Sequence, residues 1–135
     1  MKQYVHASFL AAAVLLAPTA AQTQTTLFGL GESADGYYQL DTTTVQGGGT
    51  KTATAWVIVS QSPGSQAKKL GANFMLIMFV MDCSGHTIQP LAWKAKNMTG
   101  QIIAEGVHGK EKLRTPQPDS MDERIFRTVC TWKSR

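Results

Sequence analysis

Phe74-Met75-Leu76-Ile77-Met78-Phe79-Val80-Met81 is an unbroken run of eight apolar residues, and it restricts the fold severely. Eight residues fall far short of the roughly 20 that a helix needs to cross a bilayer. They are too many for a strand with one wet face, where apolar and polar positions alternate. The run therefore predicts a central strand covered on both faces. At roughly 1.5–3 kcal/mol per buried side chain, it is the largest single contributor to the core. Met75, Met78 and Met81 read as gap-filling core, the competing reading being a soft, adaptable binding face. Asp82-Cys83-Ser84-Gly85 ends the run as a turn.

Strands precede and follow this centre. Residues 25–30 are β-branched and apolar, residues 32–36 form a turn cluster ending in Asp35-Gly36, and residues 37–41 resume as strand, which predicts a hairpin. Asp41 before three threonines reads as a local cap that accepts backbone N–H bonds. Gly47-Gly48-Gly49 reads as a flexible turn before the longest alternating segment, residues 50–61. There Thr52, Thr54, Trp56, Ile58 and Ser60 point one way, and Ala53, Ala55, Val57 and Val59 the other. Residues 62–69 read as a solvated loop. Residues 86–96 are a strand that Pro90 makes bulged or places on an edge, and residues 100–107 are another. Residues 106–117 are polar and carry proline, so they read as a loop.

A helix follows. Ser120 with Glu123 three positions on is a capping box, and Asp119, Asp122 and Glu123 place negative charge at its start. Met121, Ile125, Val129 and Trp132 repeat on one face, with Phe126 and Cys130 adjoining, while Arg124, Arg127 and Lys133 face away.

The N-terminus has a different character. A basic start at Lys2, an apolar stretch from Phe9 to Ala17, Pro18 and the small residues Thr19-Ala20-Ala21 follow the order of a secretory signal. Residues 1–21 are thus expected to be removed, leaving residues 22–135 as one exported domain, periplasmic or extracellular. With no cysteine near the cleavage region, lipid attachment is not expected. The charged fraction of 16% is low, and Thr, Ser, Gln and Asn keep the surface wet, which suits an exported β-rich protein. The formal net charge of +4 is spread over separate lysine pairs, which excludes a nucleic-acid stripe. No segment predicts a stable membrane span.

Export gives the two cysteines their meaning. Cys83 and Cys130 are an isolated pair, and in an oxidising compartment such a pair forms a disulfide. A metal or redox site fails on spacing, because there is no CxxC and only His86 and His108 lie outside the signal. The bridge would staple the terminal helix across the sheet.

The residues Tyr37-Tyr38-Gln39-Leu40-Asp41, Gly47–Gly49, Ala55-Trp56-Val57, Met81-Asp82-Cys83, Pro118-Asp119-Ser120 and Val129-Cys130 come in an order that resembles the surface-adhesin protein E family, over residues 27–132. The resemblance implies an α+β fold: an antiparallel sheet of about six strands with one C-terminal α-helix packed on it and the cysteines bridged. It also implies an exported bacterial protein that adheres to host matrix components.

Catalytic chemistry is thin. Asp82, Ser84 and His86 lie within five positions, too close to assemble a triad, and no GxSxG elbow exists. His108 near Glu105 and Glu111 reads as a solvated loop histidine, not a metal ligand. Gly29-Leu30-Gly31 and Gly47–Gly49 are turns with no phosphate cradle behind them. No catalytic, cofactor or metal residue is therefore assigned, and the only site pair is Cys83 with Cys130. A binding module stands first, with a host matrix protein or an envelope component as partner. An envelope assembly protein is second, since edge strands invite pairing, including oligomerisation, and a small hydrolase is third.

Export is expected to leave Gln22 at the N-terminus. Intact mass or N-terminal sequencing of exported protein checks this, and a retained Met1 would overturn it.

Overall fold

The computed structural model describes residues 26–133; the signal assigned to residues 1–21 lies outside them. Six strands follow in chain order: β1 (Leu27–Ser33), β2 (Gly36–Asp41), β3 (Thr52–Gln61), β4 (Phe74–Asp82), β5 (Thr87–Lys96) and β6 (Ile102–Val107). Each pairs antiparallel with the next, in the order β1-β2-β3-β4-β5-β6. A short helix α1 (Gln66–Lys69) lies between β3 and β4, and α2 (Met121–Cys130) closes the described fold. The expected six-stranded sheet with a C-terminal helix is present.

Strict alternation in β3 sets the layers. Ala53, Ala55, Val57 and Val59 are buried, and the residues between them are not. Their partners on β4 are Met81, Phe79, Ile77 and Met75, and on β2 Leu40 and Tyr38 lie opposite Val57 and Val59. These residues form the inner face. Ile125, Phe126 and Val129 of α2 complete its core, with Met121, Cys130 and Trp132 packed around them. Burying side chains of this size at roughly 1.5–3 kcal/mol each holds helix and sheet together.

Among the described residues the cover is on one face, which corrects the expectation for β4. The strand is central, bonded to β3 and β5 along both edges. Phe79 and Met81 are buried, but Phe74, Leu76, Met78 and Val80 point to the face away from α2 and are half-buried. Neighbouring strands shield them sideways, so an apolar run survives without a second layer. The methionines divide accordingly: Met81 is core, Met75 packs at its margin, and Met78 lies on the open face.

Local chemistry fixes the connections. Gly36 has φ +151°, and a Cβ there would stand 1.9 Å from the Ser60 carbonyl oxygen, so only glycine lets the β1–β2 turn approach β3. Asp41 accepts the Thr43 N–H at 3.1 Å, the expected cap, at the head of a single 3-10 turn. The β4–β5 register shifts between Met78 and Phe79, with Pro90 opposite Phe79 and Ala92 opposite Met78. Pro90 therefore sits at a bulge inside the sheet, where its missing N–H is tolerated.

Two segments read as loops carry structure. Residues 66–69 form the one-turn helix α1 because Ser65 Oγ accepts the Lys68 N–H at 3.1 Å. Past β6, Arg114 exchanges backbone hydrogen bonds with Ile88 at 2.9 and 3.0 Å, continuing the edge of β5. Its guanidinium then bonds the Asp122 carboxylate, with Nη2 at 2.8 Å, and this bond raises its pKa.

Ser120 caps α2 as expected, Oγ accepting the Glu123 N–H at 3.2 Å. The return bond is displaced by one residue: Glu123 Oε2 accepts the Asp119 N–H at 2.8 Å. Ser120→Ala should cost about 1 kcal/mol by leaving that first-turn N–H without its side-chain partner. A denaturant titration measures it, and an unchanged midpoint at unchanged slope would overturn it.

Candidate functional site

Cys83 and Cys130 are joined, with Cα atoms 5.8 Å apart and 47 positions between them in sequence. Cys83 follows β4 directly and Cys130 is the last residue of α2, so the bridge ties the helix end to the β4–β5 turn. A second tie lies beside it. The Gly49 N–H donates to the Cys130 carbonyl at 2.8 Å, satisfying one of the helix's terminal acceptors. A Cβ at Gly48 would meet the Trp132 carbonyl oxygen at 2.3 Å. The triple-glycine turn is therefore a close-packed seat for the helix end, where the sequence suggested only flexibility.

The polar residues weighed for catalysis stay apart in role. Asp82 Oδ1 accepts the Gly85 N–H at 2.7 Å and so shapes the turn. His86 has φ 56°, and its ring stands edge-on to Phe126 with centroids 4.6 Å apart. Asp82, Ser84 and His86 are all exposed. Glu111 accepts the Gly109 N–H at 3.1 Å, and backbone hydrogen bonds, its own N–H first, lower its pKa on a fully exposed turn. Among the described residues, no three His, Cys, Asp or Glu side chains come together as a metal site.

What the fold does present is the open face of the sheet. Period-two alternation brings Trp56 and Ile58 of β3 beside Met78 and Leu76 of β4, and Ala92 and Lys94 of β5 beside those. The Lys94 ammonium stands 5.3 Å from the centroid of the Trp56 ring, a cation–π contact that holds the indole against the sheet. Tyr37 lies across Gly29 at one side: a Cβ at Gly29 would meet its hydroxyl at 2.4 Å. The surface is broad, flat, aromatic and methionine-bearing, with cations toward β5. An apolar face of this kind suits contact with a macromolecule.

Depressions also lie on the helix side, two of them beside aromatic side chains. One runs along the outer flank of α2, where Phe28 and Trp132 meet edge-on at 5.8 Å beside Arg127 and Lys133. The other is a hollow of about 210 Å³ beyond the reach of α2, lined by Met75, Ile77, Trp93 and His108. There the Trp93 indole lies over Gly106, whose Cβ would meet Nε1 at 2.8 Å. Sequence reasoning missed this hollow. Trp93 opposite a glycine is its only trace in the chain, and cross-strand register is needed to see it.

Comparison with known proteins agrees with this architecture. The family model for surface-adhesin protein E matches residues 26–131. A solved structure of Haemophilus influenzae protein E superposes with a TM-score of 0.55 at 13% identity, covering 84% of this chain and 88% of that one. Its crystal form II gives 0.54 at 13% identity, over 87% and 96%. The protein from a non-typeable strain gives 0.52 at 12%, over 87% and 82%. At such identities the likeness is one of fold. No curated protein sequence matches the chain significantly.

Replacing Cys83 and Cys130 together by Ala should lower stability by about 2–4 kcal/mol, because closing so long a loop restricts the unfolded chain. Thermal melts with and without reductant measure it. A wild-type midpoint insensitive to reductant, with both thiols labelling under native conditions, would overturn the bridge.

Proposed function

The chain belongs to the surface-adhesin protein E family, and from that membership we propose that it is an exported, non-enzymatic binding protein whose ligands are matrix components of a host. The observation that carries the reading to a place on the molecule is the open sheet face centred on Trp56, Leu76 and Met78. In an ordinary two-layer domain the second face of a sheet carries polar residues. Here its centre is apolar, with an indole held by Lys94. Aromatic and methionine side chains are enriched at protein–protein contact surfaces. Export with removal of residues 1–21 would bring this face to the periplasm or beyond.

A second reading, assembly with another envelope chain, draws on β6. Its six residues are exposed apart from a half-buried Gly106, Ile102, Ile103 and Val107 among them, and it is a terminal strand of the sheet. A largely apolar edge, with Glu105 its one charge, invites an added strand.

Immobilised matrix proteins should retain the purified protein, and Trp56→Ala with Leu76→Ser should weaken that retention at least tenfold, as loss of a buried anchor does. Unchanged melting of the double variant excludes misfolding as the cause. Retention indifferent to both substitutions would remove the open face from the reading. Crosslinking in intact cells that captures an envelope protein through β6, with no matrix binding, would favour the second reading.

A further inference from the structure

We propose that one end of the sheet, formed by α1 with its following turn and by the β5–β6 hairpin, is a contact surface for an anionic phospholipid membrane. Four large apolar side chains stand out of this end: Leu70 at 74% exposure, Met98 at 70%, Ile102 at 45% and Ile103 at 44%. The backbone brings their segments together. The Asn73 N–H donates to the Lys96 carbonyl at 2.8 Å, and Lys96 pairs with Ile102. A Cβ at Gly71 would lie 3.9 Å from Ile103 Cδ1, so the turn after α1 reaches across to β6.

Charge on the same segments is mostly positive, the acidic exception being Glu105 of β6, set opposite Lys94 further from this end. Lys68 and Lys69 end α1, and Lys96 ends β5. Residues 62–73 and 94–104 contain no Asp or Glu. Between residues 42 and 104 the one acidic residue is Asp82, at the opposite end of β4. Of the other acidic groups, Glu32 and Asp35 belong to the β1–β2 hairpin, whose Asp35 carbonyl accepts the Ser62 N–H at 2.9 Å, on the β3 side of α1 and away from the β5–β6 hairpin.

This combination fits a lipid surface better than a protein. Leu70 and Met98 stand on separate protrusions, a helix C-cap and a hairpin turn, which present no continuous face for a rigid partner. A headgroup layer takes up protruding apolar side chains one by one, while lysine stems lie along it and their ammonium groups meet the phosphates. Each lysine adds attraction to a negatively charged leaflet. The contact is shallow and distinct from a span: among the described residues no helix is long and apolar enough to cross a membrane. It uses a different part of the molecule from the adhesive reading, and either can fail alone.

Exported protein of sequenced N-terminus, so that Phe9–Ala17 is known to be gone, is sedimented with phosphatidylglycerol–phosphatidylcholine vesicles and with phosphatidylcholine alone. Retention is expected on the anionic vesicles and is expected to fall with salt. Changing Lys68, Lys69 and Lys96 to Gln should lower partitioning roughly fivefold per charge removed. Leu70→Ser with Met98→Ser should lower it further, whereas Lys110→Gln with Lys112→Gln, toward the other end of β5, should not. All these side chains lie at the surface, and melting curves confirm that the variants fold. Absence of a preference for phosphatidylglycerol, or equal loss with the Lys110 and Lys112 changes, overturns the proposal. If the apolar changes have no effect while soluble poly-glutamate displaces the protein, the end is a site for an acidic protein and the membrane assignment fails.

Discussion

Everything in this fold depends on how a single ten-residue helix is held on one face of a six-stranded sheet. Only Ile125, Phe126 and Val129 of that helix are fully inside the core. Three side chains are a slender apolar interface, and a helix of this length has little stability of its own in water. The ends make up the difference. At the start, Ser120 and Glu123 satisfy free N–H groups and Arg114 anchors Asp122; at the finish, the disulfide and the Gly49 N–H fix the last turn. Between these anchors Arg124 reaches back, its Nη1 donating to the Leu30 carbonyl at 3.3 Å, and so covers the bulged part of β1.

One-sided cover leaves the other face of the sheet to look after itself. Its apolar strip is protected sideways, by cross-strand neighbours and by the Lys94 ammonium over Trp56, more than by any layer above. Such a face combines burial sufficient for folding with exposure sufficient for contact. On the proposed reading, the sheet that builds the core would also supply the surface offered to partners.

Much of this was legible in the chain because it rests on short-range rules. Alternation in residues 50–61 gave the faces of β3, Asp41 and Ser120 gave caps, and Pro90 left a bulge or an edge, of which the bulge is present. The cysteine pairing followed from compartment and count. Other features depend on distant partners. The eight-residue run in β4 suggested cover on both faces, since composition cannot tell shielding by neighbouring strands from shielding by a second layer. Arg124 is exposed, as its place on the helix implies, but nothing local places the Leu30 carbonyl within its reach. Gly48 looked flexible because its constraint, the Trp132 carbonyl, lies 84 positions later in sequence. Likewise the hollow at Trp93 exists only once Gly106 is set opposite.

The strand order has a kinetic meaning. In a meander every strand pairs with its sequence neighbour, so the sheet can zip up through short loop closures, in the order in which the chain emerges. Among the described elements, the helix makes the contacts most distant in sequence, meeting β1 and β3. Cys83 thus waits 47 residues for its partner, with β1 through β6 already able to pair around it. Among the described elements, α2 is what covers the inner face, with Ile125, Phe126 and Val129 in its core. The helix arrives last, as the event that gives the sheet an inside.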